Sequence, residues 1–333
     1  MREDLSKLLL AWYKENGRDL PWRYKGGAHP DPYKVLVSEF MLQQTTVKTV
    51  IPYFDRFMKK FPTIFELAKA SEEEVFDYWQ GLGYYSRARA LLQTAQEIVG
   101  DRKGNFPQKK EDVLRLKGIG AYTAASFLAL AFNKPESVVD GNVMRIICRL
   151  FHLTESLDVI KNDIERRAKK IASKTNAADY ASAIMDLGAL VCTPKKPQCF
   201  RCPWQNFCRS KNCENLEGIP QKRRLEKKEK HGFVYIVKNG KGDVFIRKRI
   251  EKGLLSGLYE LPWSENQILA GAKRTGIEVC HVFTHFSLFL ELCVIDGGFS
   301  SIDGFFIPYD KLYEYPSSTL MKKVFNKIKE NQL

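Results

Sequence analysis

Leu116-Lys117-Gly118-Ile119-Gly120-Ala121-Tyr122-Thr123-Ala124, followed one apolar helix later by Val138-Val139-Asp140-Gly141-Asn142-Val143-Met144-Arg145, decides how this chain folds. The two glycines interrupt a helical pattern that runs from Glu111 to Leu116 and resumes near Tyr122, so the segment predicts helix, tight turn, helix. Glycine turns the backbone sharply and leaves bare N–H groups at a helix N-terminus, which suits a phosphate oxygen. An ordinary αα-turn carries the same glycines, and an Asp before Gly at a helix start is also an N-cap. The weight comes from the order: hairpin, apolar helix ended by Asn133-Lys134-Pro135, then Asp140 leading into another helix.

Outward from this stretch the two halves differ in period. From residue 1 to about 190 the apolar residues recur at helical spacing, as in Val47, Val50, Ile51, Phe54 and Phe57, which predicts a bundle of many short helices. From about 231 the runs are strand-like: Phe233-Val234-Tyr235-Ile236-Val237, the turn Lys238-Asn239-Gly240-Lys241-Gly242-Asp243, then Val244-Phe245-Ile246. Further strands are expected at Glu278 to Phe283 and Phe286 to Ile295, with a helix at Ser317 to Lys329. The expected division is a mainly α domain over 1–215, a charged linker over 216–230 and an α+β domain over 231–333.

The 53 Lys and Arg against 39 Asp and Glu give a net charge of +14, which favours a polyanionic partner. A membrane surface is disfavoured, because no cationic amphipathic helix with a bare aromatic face is found. Ala124 to Phe132, the longest nearly apolar stretch, is far below the roughly 20 residues of a membrane span. Met1 to Lys7 carries acids where a signal peptide would be basic, so a cytoplasmic protein is expected. In that reducing compartment the eight cysteines read as metal ligands or core thiols. Four of them, Cys192-x6-Cys199-x2-Cys202-x5-Cys208, suit zinc or an iron–sulfur cluster on spacing alone. Cys213 is a spare thiol beside them, and Cys148, Cys280 and Cys293 are expected in the core.

The pattern L-x-G-[IV]-G-x-x-T-A followed by V-D-x-N-V-x-R resembles the helix-hairpin-helix superfamily of DNA glycosylases. Two further motifs, Ser38-Glu39-Phe40-Met41-Leu42-Gln43-Gln44-Thr45 and Trp79-Gln80-Gly81-Leu82-Gly83-Tyr84-Tyr85-Ser86-Arg87-Ala88-Arg89, narrow the resemblance to the MutY-type adenine DNA glycosylases over residues 8 to 210. Breaking an N-glycosidic bond needs a proton for the leaving base and an anion beside the oxocarbenium-like sugar. The resemblance implies that Glu39 is the general acid and that Asp140 stabilises the sugar cation. Tyr122 and Asn142 would order Asp140 and the attacking water. Glu39 must hold a proton near neutral pH, so an apolar pocket is expected around it, from Leu42 and Met41. Relatives that also cut the strand carry Lys where this chain has Tyr122; a phenol forms no imine, so a monofunctional enzyme is expected.

By the same resemblance Gln44, Leu82 and Tyr84 enter the base stack around the extruded adenine, and Thr45, Arg87, Gly118 and Gly120 lie against DNA. Ser182 departs from the family, which carries Gln or Glu near the purine pocket at that position, and a short hydroxyl reaches the base less directly. The four cysteines are implied ligands of a [4Fe-4S] cluster that fixes a basic loop carrying Lys195, Lys196, Arg201, Arg209 and Lys211. Residues 231–333 resemble the nudix-like domain that reads 8-oxoguanine, with Phe283-Thr284-His285 in place of Phe-Ser-His. The carboxylate box of a nudix hydrolase is missing after Gly257, so metal-dependent hydrolysis is not expected. Taken together, the expectation is a monomeric glycosylase acting on duplex DNA with adenine opposite 8-oxoguanine or guanine. A mismatch thymine glycosylase on the same scaffold and a non-catalytic damage-binding protein are the alternatives.

Overall fold

A computed structural model describes residues 2–23, 30–221, 228–251, 253–283, 285–296 and 303–333. By contact the chain divides into two units: Met1–Lys69 with Ala90–Arg224, and Ala70–Arg89 with Leu225–Leu333. Residues 222–227 of the expected linker lie outside the described residues, as does Thr284.

The first unit is built from α1 (Arg2–Asn16), α2 (Pro32–Leu42), α3 (Val47–Lys60), α4 (Ile64–Lys69), the C-terminal part of a long helix counted below as α6, α7 (Lys110–Arg115), α8 (Ala121–Phe132), α9 (Gly141–Phe151), α10 (Leu157–Ile171) and α11 (Ala177–Leu190). Caps in the sequence set these boundaries. Asp31 accepts the Tyr33 N–H ahead of Pro32 at the first helical position of α2, and Thr46 caps α3. α8 has a mostly apolar sequence, AYTAASFLALAF, and is buried from Thr123 to Ala131, so it forms the central post that α2, α7 and α11 pack around. A second core joins Leu5, Leu9 and Tyr13 of α1 to Val143, Ile146, Ile147, Ile164, Ile184 and Leu187, sealed by Trp204 after α11.

In the second unit, α5 (Glu72–Trp79) and the first turn of α6 (Tyr85–Arg102) accompany a mixed sheet of β1 (Lys228–Lys238), β2 (Val244–Lys248), β3 (Tyr259–Glu260), β4 (Trp263–Glu265), β5 (Lys273–Val282), β6 (Phe286–Asp296) and β7 (Phe305–Ile307), and α12 (Thr319–Glu330). The main strand order is β3-β2-β1-β6-β5, with β4 on β1 and β7 on β2. The long central pair β1 and β6 is parallel, from Lys228 against Phe286 to Lys238 against Asp296. Val234, Ile236, Leu288, Leu290 and Leu292 bury one sheet face beneath Leu320, Val324, Phe325 and Ile328 of α12. The sequence reading did not anticipate that Ala70–Arg89 joins this unit.

Candidate active site

The hairpin reads as its glycines require. Gly118 has φ +72, and a Cβ there would stand 2.6 Å from the Ala90 Cβ, so only glycine closes the turn. Gly120 differs: it is the N-cap of α8 at φ −92, and an added Cβ would meet nothing within 4 Å. The N-terminus of α8 therefore faces open space with free backbone donors, which suits an anion.

α8 carries Tyr122 in its first turn, and α2 lays Glu39 alongside. Glu39 is only 4% exposed. Burial pushes its carboxyl up to about 7; Asp140 adds in the same direction, while the Ser126 hydroxyl and the Arg23 guanidinium oppose it. The groups acting on Glu39 thus come from α8, the start of α9 and the segment before α2. Met41 is buried too, but two residues on it points to nearly the opposite side of α2. Tyr122 is held well above the ordinary phenol value by burial and then by the negative charges of Glu39 and Asp140, so it stays a neutral donor, and its hydroxyl points to Met185 Sδ at 3.6 Å.

Asp140 is both an N-cap and a member of the site. Its Oδ1 accepts the Val143 N–H at 2.7 Å and its Oδ2 accepts Asn142 Nδ2 at 2.9 Å. Asn142 is fixed in turn by Arg145 Nη2 at 3.0 Å, and Arg145 also donates to the Gly188 and Cys192 carbonyls. A Cβ on Gly188 would stand 2.7 Å from the Asn142 Cβ, so glycine in α11 lets Asn142 sit where it holds Asp140. Two carboxyls therefore stand near enough to act on each other's charge, in different states of solvation: Glu39 enclosed, Asp140 hydrogen-bonded at a helix N-terminus.

Sequence reasoning missed the charged floor beside them. Asp186, fully buried in α11, accepts Arg18 Nε and Nη2 at 2.8 and 2.6 Å, the Arg18 backbone N–H at 2.8 Å and Arg23 Nη1 at 2.9 Å. The available signal was an acid between Met185 and Leu187 on an otherwise apolar helix face. Ser182, the departure from the family pattern, is buried near the Tyr13 phenol. Gln44 is exposed just past α2 with a left-handed φ of +57, and Thr45 is half-buried beside it.

In the second unit, the turn after α5 bends through positive φ at Gly81, Gly83 and Tyr84, leaving Tyr84 46% exposed and Leu82 buried. Arg87, expected against DNA, is turned inward. Its Nη2 donates to the Leu82 and Gly83 carbonyls at 3.1 and 3.0 Å, and its guanidinium lies over the Trp79 and Tyr84 rings. Burial lowers it to about 10, so it remains charged and clamps the turn. Leu82, Tyr84 and Phe283 line one cavity of about 290 Å³, together with His281. The Phe283 N–H donates to the Phe286 carbonyl at 2.8 Å, closing the β5–β6 turn, and His285 is exposed. Glu260, three residues after Gly257, is buried against Arg247 and Arg249 at 2.9 and 3.1 Å and accepts Trp263 Nε1, so it is engaged in structure.

Cys192, Cys199, Cys202 and Cys208 line a single cavity together with Arg149, whose Nη1 lies 3.7 Å from Cys192 Sγ. Burial raises the Cys202 thiol to about 12, and the three other thiols add to it. Cys213 stands outside that cavity, beside Cys208 in another. Cys148 and Cys293 are buried as expected; Cys280 is exposed, because it falls on the outward face of β5.

Comparison with known proteins identifies relatives of both units. The model of the HhH-GPD superfamily of base excision DNA repair proteins matches residues 37–174, and a NUDIX domain model matches residues 233–327. The adenine DNA glycosylase of Rattus norvegicus is 30% identical over 97% of this chain and 78% of its own length. That of Buchnera aphidicola subsp. Schizaphis graminum is 34% identical over 88% of each chain. Matches to the plant, mouse and human adenine DNA glycosylases span less than half the length of those proteins. Among solved structures, a thermostable thymine-DNA glycosylase superposes with a TM-score of 0.56 at 27% identity, covering 63% of this chain and 96% of that one. With relatives of this identity covered over most of their own length, the chain belongs to the adenine DNA glycosylase family of base excision repair enzymes.

Proposed function

We propose that this chain releases adenine from duplex DNA, adenine standing opposite 8-oxoguanine or guanine, and leaves the strand uncut. The observation that carries the reading is the pair Glu39 and Asp140: one carboxyl enclosed enough to keep its proton to about pH 7, the other held by Asn142 and the Val143 N–H. The extruded base takes the Glu39 proton and departs with the glycosidic electron pair. Asp140 faces the positive charge that develops on the sugar, and water adds at C1′, its released proton going to a carboxylate. Tyr122 offers no amine, so no covalent imine forms. On this reading the Arg18–Asp186–Arg23 cluster and Ser182 inspect the base.

Gly118 and Gly120 hold a backbone phosphate on this reading, Gln44, Thr45, Leu82 and Tyr84 fill the stack, and Arg87 serves by holding the turn. The nudix-like unit reads the opposite purine through Phe283, Thr284 and His285. Domain boundaries are taken at 215 and 231. Cys192, Cys199, Cys202 and Cys208 fit a [4Fe-4S] cluster, because all four line one cavity. Such a cluster would fix the loop that carries Lys195, Lys196 and Arg201; it supplies structure, with no step of base release passing through it. Among the described residues no helix is long and apolar enough to cross a membrane.

The test is single-turnover base release from duplexes with adenine opposite 8-oxoguanine, adenine opposite guanine and thymine opposite guanine, each with and without hot alkali. Alkali-dependent breaks at adenine, fastest opposite 8-oxoguanine, are expected. Release of thymine alone, or alkali-independent breaks, would overturn the assignment.

A further inference from the structure

Ser126 stands one turn after Tyr122 on α8, on the side that meets α2, and is fully buried. A serine inside a helix ordinarily turns its hydroxyl back onto the carbonyl one turn earlier. Ser126 Oγ has no hydrogen-bond partner among the described residues, although no solvent reaches it. A buried hydroxyl left in this state costs stability, so it calls for an explanation. The hydroxyl is within reach of two neighbours, the Glu39 carboxyl and the Tyr122 phenol, and favours the ionised form of each. Neither neighbour is ionised while Glu39 holds its proton. The donor therefore has no charge to serve until that proton leaves.

We propose that Ser126 is a positioning residue for base release: its hydroxyl waits unengaged beside protonated Glu39 and donates to the carboxylate that forms as the proton passes to the departing base. Stabilisation that appears only on proton transfer lowers the barrier without tightening the ground state. The other charged and titratable groups facing Glu39 are Tyr122 on the same helix as Ser126, Asp140 at the start of α9 and Arg23 before α2. Each is held by partners of its own: Asp140 by Asn142, Arg23 by Asp186, Tyr122 by Met185. Ser126 is the one of these groups whose buried hydroxyl has no hydrogen-bond partner among the described residues.

The inference rests on Glu39 being the proton donor, and the test separates the two. Single-turnover release of adenine is followed from pH 5 to 9 for the wild type, Ser126→Ala, Ser126→Thr and Glu39→Gln, with melting temperature and duplex affinity measured alongside. Ser126→Ala is expected to release base about 3- to 10-fold more slowly on the acid side of the profile, the scale of one net hydrogen bond. Its alkaline limb moves to higher pH, because the ionised carboxylate has lost a donor, so the two profiles converge as pH rises. Ser126→Thr keeps the hydroxyl and restores both features. A uniform fall at every pH in a folded Ser126→Ala, or a profile identical to wild type while Glu39→Gln is inactive, overturns the role of Ser126 and leaves Glu39 standing. Activity retained by Glu39→Gln overturns the proton-donor reading itself. If Ser126→Ala does not fold, a profile for Ser126→Thr with the limb displaced as by loss of the hydroxyl would overturn the proposal.

Discussion

A carboxyl that keeps its proton to about pH 7 is held there at a cost in stability, and the sign of that cost gives a direct prediction. The folded protein binds the Glu39 proton more tightly than the unfolded chain does, so stability falls as pH rises from about 4.5 to about 7 and the penalty is complete above that. Glu39→Gln, a neutral replacement of the same shape, is expected to gain up to about 3 kcal/mol at pH 8, with the difference vanishing near pH 4. Denaturant melts at the two pH values check it. The same variant is expected to lose roughly 10²- to 10⁴-fold in base release, while duplex affinity changes little. Equal stability of variant and wild type at pH 8 would mean that Glu39 is solvated. At this scale local sequence order was enough to put Glu39 within α2, Tyr122 in the first turn of α8, and Asp140 and Asn142 at the start of α9. It did not carry Ser126 or the Arg18–Asp186–Arg23 cluster, whose partners stand about 165 residues apart in the chain. Pairings at that separation leave no local periodic signature.

At the scale of elements, the two hairpin glycines have different duties, and one substitution at each separates them. Gly118→Ala forces a side chain into a left-handed turn and onto Ala90, so it is expected to cost about 1 to 3 kcal/mol of stability. Gly120→Ala meets nothing and sits at a φ that alanine adopts freely, so thermal stability stays within about 1 kcal/mol of wild type. Its methyl group occupies the space through which a phosphate would approach, and duplex affinity is expected to fall about tenfold, the scale of one charge-assisted contact. Loss of affinity at Gly118 with none at Gly120 would move the phosphate elsewhere. Helices and strands were legible here because apolar period and punctuation agree: the expected Phe286 to Ile295 is β6, Phe286–Asp296, and Ser317 to Lys329 is α12, Thr319–Glu330. What the pattern did not reveal was strand order, above all the parallel pairing of β1 with β6 across about 58 residues, which depends on the cover supplied by α12.

For the whole molecule, the charged linker is a misleading place to cut. A boundary near residue 225 looks natural in composition, but Ala70–Arg89 belongs by contact with Leu225–Leu333. The segment is tied there by Arg89 Nη2 on the Ser256 carbonyl at 3.0 Å, Tyr85 on the Ser317 carbonyl at 3.4 Å and Lys248 paired with Glu73. A Cβ at Gly257 would strike Arg89, a measure of how closely the two stretches pack. A fragment ending at residue 224 therefore loses the support under α5 and under the turn that presents Leu82 and Tyr84. It is expected to melt lower than the intact chain and to expose Phe76, which is buried in the whole protein. Dye binding and a melting curve on the fragment test the first point. Base release on adenine opposite 8-oxoguanine tests the second, with a loss beyond the preference for the damaged purine expected, because the turn itself is loosened. A fragment that melts like the intact chain and releases adenine opposite guanine at the full rate would show that the helical unit holds its own turn. Residues 70–89 would then behave as the composition of the chain suggests.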